Sequence, residues 1–379
     1  MINDATRTTP LIEALRRAIV PGESVVLDLG ASFGFFSFIA CQLGARKVYA
    51  IEPDDAIKVA KLCAENTDYA DRITWIQGLS TQLELPEKAD IVIADLHGTL
   101  PFYNANIASM IDARKRHLKS GGQMISIRDR LYAVPAQAHE EYASVESPWQ
   151  NNPQGIDFSA GSSYVLNNWW RAKSDVVLQE NLLSIAQPWG EIDYRKVESE
   201  NLDGYLAWTI ERVGILHGLY VWFEGDTAEG LSYSNAPTLP ELVYGRAFFP
   251  MERPIAVDVG DKITCHLSAN LIGDKFIFRW DTTICNAQGN AKASFRQTTF
   301  KSQLLQPIDL QAVAEDNCPT LNEDGAIVRE VLTAFANSKS QGQTARDLVE
   351  LFPQRFDSVT TALNHVVDLA RKFSATPKP

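Results

Sequence analysis

The chain has 379 residues, 45% of them hydrophobic and 22% charged, which is the balance of a water-soluble globular protein with more than one core. A net charge of −12 with no basic block excludes nucleic acid as the obvious partner, and no apolar run reaches membrane-spanning length. The five cysteines are scattered and odd in number, with no C-x-x-C pair, so they read as reduced thiols of a cytoplasmic protein, with neither a disulfide frame nor a metal site. Met1-Ile2-Asn3-Asp4 does not read as a signal peptide.

Leu11, Ile12, Leu15 and Ile19 recur at helical spacing, and Pro21-Gly22 ends that helix. Val25–Leu29 is a short apolar run that reads as a buried parallel strand. It runs into Gly30-Ala31-Ser32-Phe33-Gly34, small residues that allow a tight turn and close approach to a ligand. A helix from Phe35 to Leu43, a stop at Gly44 and a second strand over Val48–Ile51 follow, with the acid Glu52 at that strand's tip. This is one complete βαβ unit, and a terminal acid placed there can hold a ribose diol. A helix over Ala56–Cys63, strands at Ile73–Ile76 and Ala89–Ala94, and a last helix-loop-strand through Leu118 to Ile127 complete an α/β pattern that stops near residue 135.

From about 150 to 310 the pattern changes to short alternating runs: Asp193–Val197, Tyr205–Val213, Leu216–Phe223, Arg246–Phe249, Lys262–Leu271 and Lys275–Ile284. Gly260-Asp261 and Gly273-Asp274 mark turns between them, so this part is a mostly antiparallel β-domain. From Asn322 helical spacing returns in a small terminal unit, helical or winged-helix in kind. The expected division is 1–140, 141–315 and 316–379.

Asp28-x-Gly30-x-x-x-Gly34 resembles motif I of the class I S-adenosylmethionine (SAM) methyltransferases; the middle and third glycines of a dinucleotide fingerprint are absent. The resemblance implies SAM as cofactor, with Asp28, Gly30, Ala31, Ser32, Gly34, Glu52, Pro53, Leu79 and Ser80 as its contacts. The competing reading is a nucleotide-free βα turn. A SAM-type domain followed by a β-barrel is the layout of the protein arginine methyltransferases, and further stretches are similar to theirs. Met1 to Arg7 resembles M-x-x-D-x-x-R, whose arginine implies that Arg7 pairs with the SAM carboxylate. Gly44 to Val48 resembles the family's stretch before the ribose acid, Gly155-Ile156-Asp157-Phe158 its G-F-D-M, and His217 to Phe223 its H-G-F-x-x-W-F. The terminal unit, through Leu348, Phe352, Phe356, Val359 and Leu363, faintly resembles the PqqD-like peptide-binding winged helix.

The departures fall on the chemistry. The family's catalytic loop carries two glutamates nine residues apart, and here those places hold Asp95 and Asn104, around the shared Phe102-Tyr103. A buried guanidinium there would lack half its countercharge. The threonine-histidine-tryptophan loop is replaced by Leu242-Val243-Tyr244, and the family's tyrosine-rich lid helix would lie before Met1. Asp95 reads as an acceptor-facing acid or a strand-end cap. His97 reads as a general base or a solvated loop residue, and Asn104 as a group orienting the acceptor or a surface residue. Trp169-Trp170 falls where the family carries its dimerisation arm, implying a homodimer through residues near 160–178. The expectation is a methyltransferase acting on nitrogen or oxygen of a peptide or small natural product. The alternative is a non-catalytic peptide-binding protein on the same fold.

Overall fold

The computed structural model describes residues 2–173, 177–303, 311 and 314–374, which fall into two units, Met1–Leu304 and Leu305–Pro379. The first unit opens with helix α1 (Ala5–Ala18), whose N-terminus is capped by the Asp4 carboxylate on the Arg7 backbone N–H. Arg7, Leu11, Ala14, Leu15 and Ala18 recur every three or four residues and form its buried face.

Five parallel strands follow: β1 (Val25–Leu29), β2 (Lys47–Glu52), β3 (Ile73–Gln77), β4 (Ala89–Ala94) and β5 (Leu118–Ile125). Helices α2 (Phe35–Gln42), α3 (Ala56–Ala64) and α4 (Asn106–Asp112) connect them. The sheet order is β3-β2-β1-β4-β5, so chain direction of travel reverses between β1 and β4. Ligands of open α/β sheets bind at such a switch point, beyond the carboxyl ends of the strands. All five residues of β1 are buried, which explains why that strand reads as a continuous apolar run broken only by Asp28.

The antiparallel part begins earlier than the composition shift suggests. Strand β6 (Arg128–Ala136) lies before the expected boundary at 140, yet it pairs with β10 (Gly214–Ala228) and β8 (Gln187–Asp193). With β7 (Trp170–Arg171), β11 (Leu231–Ser234) and β12 (Ala247–Val257) these form a six-stranded sheet. A second sheet holds β9 (Leu202–Thr209), β13 (Lys262–Ile272), β14 (Lys275–Cys285) and β15 (Ala291–Thr298), in the order β15-β14-β13-β9. The run Asp193–Val197, expected as a strand, is mostly turn, because Lys196 and Val197 N–H groups fold back onto the Asp193 carbonyl.

Between β6 and β8 lie helices α5 (His139–Gln150) and α6 (Ser162–Leu166), the second of them inside the segment expected to be an arm. Its two tryptophans separate. Trp169 turns inward and stacks on Phe249 at 6.2 Å, whereas Trp170 stays 36% exposed with its indole N–H on the Val165 carbonyl. The adjacent apolar anchor expected from the pair is therefore half core.

The second unit packs α7 (Glu323–Ala336), α8 (Gln341–Leu351) and α9 (Val359–Phe373) around Ile327, Val331, Ala345, Leu348, Phe356, Ala362 and Val366. Asn322, Ser340 and Ser358 cap the three N-termini. Among its described residues there is no strand, so the wing of a winged helix is not found there. Of the residues that carry the resemblance, Leu348 and Phe356 are buried in this core and Val359 is 42% exposed.

Candidate active site

The turn after β1 is shaped by backbone that side chains resist. Gly30, Ser32 and Gly34 have φ of +74°, +47° and +77°. A Cβ on Gly34 would lie 2.4 Å from the Trp75 ring, and one on Gly30 would lie 2.2 Å from the Leu96 side chain. The Gly30 and Ala31 N–H groups bond to the Ile51 carbonyl, which fastens the turn to β2. Asp28 does not project into this turn. It is buried and accepts the Ser37 hydroxyl at 2.6 Å, bracing the turn from below, and burial pushes its carboxyl up to about 6.

At the tip of β2 the Glu52 carboxylate accepts one backbone N–H on each oxygen, Ser32 at 2.9 Å and Asp54 at 2.8 Å. A carboxylate has about four lone-pair sites, so two remain for a vicinal diol. The Gly78 N–H donates to the Glu52 carbonyl, which brings the Gly78-Leu79-Ser80 turn beside that tip. Leu79 is half exposed there and Ser80 is buried, its carbonyl held by Arg116 and His117. Pro53 follows Glu52 directly and is exposed. Gly30, Ala31, Ser32, Gly34, Glu52, Leu79 and Ser80 are thus assembled around one corner, and their donor set fits the ribose and methionine parts of SAM.

Beyond β4 the loop carries Asp95, only 8% exposed at its side chain. One carboxylate oxygen pairs with the Arg7 guanidinium and the other accepts the Tyr244 hydroxyl. Arg7, itself 2% exposed, also lies 5.7 Å over the Tyr244 ring, while Asp4 accepts the Val243 N–H at 2.9 Å. The start of α1, the end of β4 and the 242–244 loop therefore meet around Arg7, which faces Asp95 and, at 3.9 Å, Asp4. Leu242-Val243-Tyr244 holds this corner with a phenol and a backbone N–H.

His97 fits neither sequence reading. Its side chain is 2% exposed and its Nε2 lies 2.8 Å from the Asp129 carboxylate, which is wholly buried. Nδ1 faces the Tyr233 hydroxyl at 3.3 Å, and the ring stacks on Phe223 at 4.9 Å. Tyr194 donates to the same Asp129 and receives the Asn106 amide at 3.2 Å. Burial lifts the Tyr194, Tyr233 and Tyr244 hydroxyls far above the ordinary phenol range, so all three stay protonated donors. His97 is neither solvated nor open to an acceptor; it is a strut in the wall behind Asp95. Asn104 is exposed in left-handed backbone (φ +47°) and is not part of the Arg7–Asp95–Tyr244 cluster. Nothing local in the sequence marks Asp129, Tyr194 and Tyr233, because each sits in an alternating strand or turn remote from the βαβ unit.

A parallel sheet with a glycine turn and a ribose-type acid, closed by an antiparallel barrel, is the class I methyltransferase architecture extended by a second domain. More particularly, it is the fold of the protein arginine methyltransferases. The structure superposes on the Trypanosoma brucei PRMT1 enzyme-prozyme heterotetrameric complex with AdoHcy with a TM-score of 0.69, at 21% identity over 79% of this chain and 95% of that one. Arabidopsis thaliana protein arginine methyltransferase 10 gives 0.68 at 22% identity, with the same coverage of both chains. Residues 5–152 match the family model of ribosomal protein L11 methyltransferase (PrmA). The chain is 31% identical over 257 residues to the probable histone-arginine methyltransferase 1.3 of Arabidopsis thaliana, covering 64% of this chain and 48% of that relative. It is 28% identical to protein arginine N-methyltransferase 2 of Xenopus tropicalis, covering 70% and 64%. The chain thus spans about half to two thirds of the length of these relatives.

Proposed function

We propose that this chain binds SAM in the Gly30–Glu52 corner and methylates a nitrogen or oxygen of a peptide or small natural product. The observation that carries the reading is the placement of the buried acid Asp95 at the sheet's switch point, with the next residue, Leu96, against the Gly30 turn. Glu52 would hold the ribose hydroxyls, the loop backbone the methionine part, and Arg7 the carboxylate. SAM supplies an electrophilic methyl on a sulfonium. The chain's own work is to position the acceptor, exclude water with the barrel wall, and let Asp95 take the acceptor's proton. Tyr244 holds Asp95 in place, and the buried His97–Asp129 pair fixes the wall behind it.

Calorimetry with SAM tests this directly. Millimolar SAM should give measurable heat, and Glu52→Ala should weaken binding by about 1–3 kcal/mol, the usual worth of a hydrogen bond to a charged group. A flat titration of the wild type would leave a peptide-binding protein on this fold as the better reading. The exposed Asn104, which leaves one acid at the site, is what favours that second reading.

A further inference from the structure

Helix α4 ends in a wide turn. Before β5 the chain runs through Ala113–His117 as one turn of π-helix, a form that is rare and recurs at functional sites. Arg116 and His117, adjacent in sequence, reach the same acceptor, the Ser80 carbonyl, at 2.7 and 3.3 Å. A guanidinium has five N–H donors, and those of Arg116 meet five acceptors: both Asp112 carboxylate oxygens, the Glu84 carboxylate, and the Ser80 and Leu83 carbonyls. Arg114 turns instead to the barrel, where it donates to the Tyr194 and Val197 carbonyls, both at 2.7 Å, and to Glu198. At the other end of α4 the Asn106 amide donates to the Tyr194 hydroxyl at 3.2 Å. One helical element thus grips Tyr194 at both its backbone and its hydroxyl, and that hydroxyl holds Asp129, the partner of His97.

We propose that Arg116 and Arg114 are positioning residues that act as a pair: Arg116 sets the cofactor turn at Leu79-Ser80, Arg114 sets the barrel turn at 194–198, and the π-turn passes occupancy of the first to the second. This rests on the SAM reading above. Residues two apart on a helix do not face each other, so Arg114 and Arg116 can strap two separate turns at once. Arg116 and His117 share one acceptor because the wide turn brings consecutive side chains round to the same side. Rewinding Ala113–His117 into an α-turn would rotate the residues after it and take both side chains off the Ser80 carbonyl. Release of Arg114 from the barrel turn frees the helix end to rewind in this way. The cofactor therefore binds the strapped state more tightly, since the turn that meets it is in place only there, and a ligand with that preference shifts the population toward it. Cofactor resting on Leu79-Ser80 thereby firms the Tyr194–Asp129–His97 wall without touching it.

The test is amide hydrogen exchange on the full chain, with and without saturating S-adenosylhomocysteine, in wild type and Arg114→Gln. The Tyr194, Lys196 and Val197 N–H groups are bonded to the Ile127 and Asp193 carbonyls, so their exchange reports opening of the barrel turn. In wild type, S-adenosylhomocysteine should slow exchange over 78–84 and also over 194–198, the latter by about fivefold, the small end of coupling between sites. Arg114→Gln should keep the first effect and lose the second. Slowing over 78–84 alone in wild type overturns the coupling, and so does slowing over 194–198 that survives in the variant. Should the glutamine variant not fold, Arg114→Lys takes its place, since lysine keeps the charge but lacks the planar fork that spans two carbonyls. An exchange pattern that S-adenosylhomocysteine changes nowhere is a separate outcome, which defeats the cofactor reading and this inference with it.

Discussion

Asp28 shows at single-residue scale how a motif position braces the turn it precedes. Its carboxyl is buried beneath the turn, with a pKa raised from 3.8 to about 6 by desolvation against the opposing Ser37 hydrogen bond. An acid raised in the folded state is penalised when ionised, so the folded protein holds its proton more tightly than the unfolded chain does. Stability then falls as pH rises from about 4 through 6, and the full penalty is present above that window. At about 1.4 kcal/mol per pKa unit, the shift corresponds to about 3 kcal/mol. Asp28→Asn keeps an acceptor for Ser37 and removes the charge, so its thermal unfolding should show a gain over wild type at pH 8 that disappears below pH 4. A gain independent of pH, or a loss at pH 8, would show that Asp28 is better solvated than its burial implies. The neighbouring Glu52 is different in kind, since two backbone N–H groups compensate its charge and leave it lone pairs for a ligand.

At the scale of elements, the loop from Asp95 to Asn104 decides what the fold can do. Phe102 anchors it among Trp189, Phe276 and Phe278, and the Thr99 hydroxyl donates to the Tyr244 carbonyl. The loop is thereby fixed to the barrel with one acid inward and Asn104 outward. Standard glycine- and arginine-rich peptides should therefore give no methylarginine by mass spectrometry at rates where such enzymes normally act, and detection of it would show that one carboxylate suffices. The stretch from the end of α5 through α6 to β7 carries a separate expectation. Ile156, Phe158, Tyr164 and Trp170 are each between 36% and 54% exposed, a density of apolar surface that association would cover. Light scattering should find a dimer that Ile156→Ser with Phe158→Ser converts to monomer, with the wild-type melting profile otherwise kept. A monomeric wild type removes the idea. The same elements show what could be read from the sequence. The βαβ unit was legible because glycines, a buried strand and a strand-end acid lie within 28 consecutive residues. β6 was not, since its pairing partners β8 and β10 lie far along the chain, and β11 and β15, though each pairs with the strand just before it, are short runs that carry little pattern of their own. The His97 environment was hidden for the same reason: its partners come from β6, β11 and a turn near residue 194.

For the whole molecule, the open question is why a chain with a complete sheet-and-barrel unit carries a second one. The first unit has a continuous core of its own from α1 through β15, and the second closes its small core with α7, α8 and α9 alone. A three-helix core of that size is near the lower limit for independent stability, so it should be the first part of the chain to unfold on heating. A role for the second unit in recruiting a peptide, which would raise that peptide's concentration at the site of the first, is a proposal that truncation tests. Removing residues 305–379 should then leave S-adenosylhomocysteine affinity within about twofold, because every residue of the Gly30–Glu52 corner lies in the first unit. Binding of a peptide acceptor, identified by pull-down on the full chain, should weaken at least tenfold on the effective-concentration argument. If instead the truncated chain loses S-adenosylhomocysteine binding or solubility and keeps the peptide, the helices serve to cover the first unit, and the peptide site must lie on the barrel.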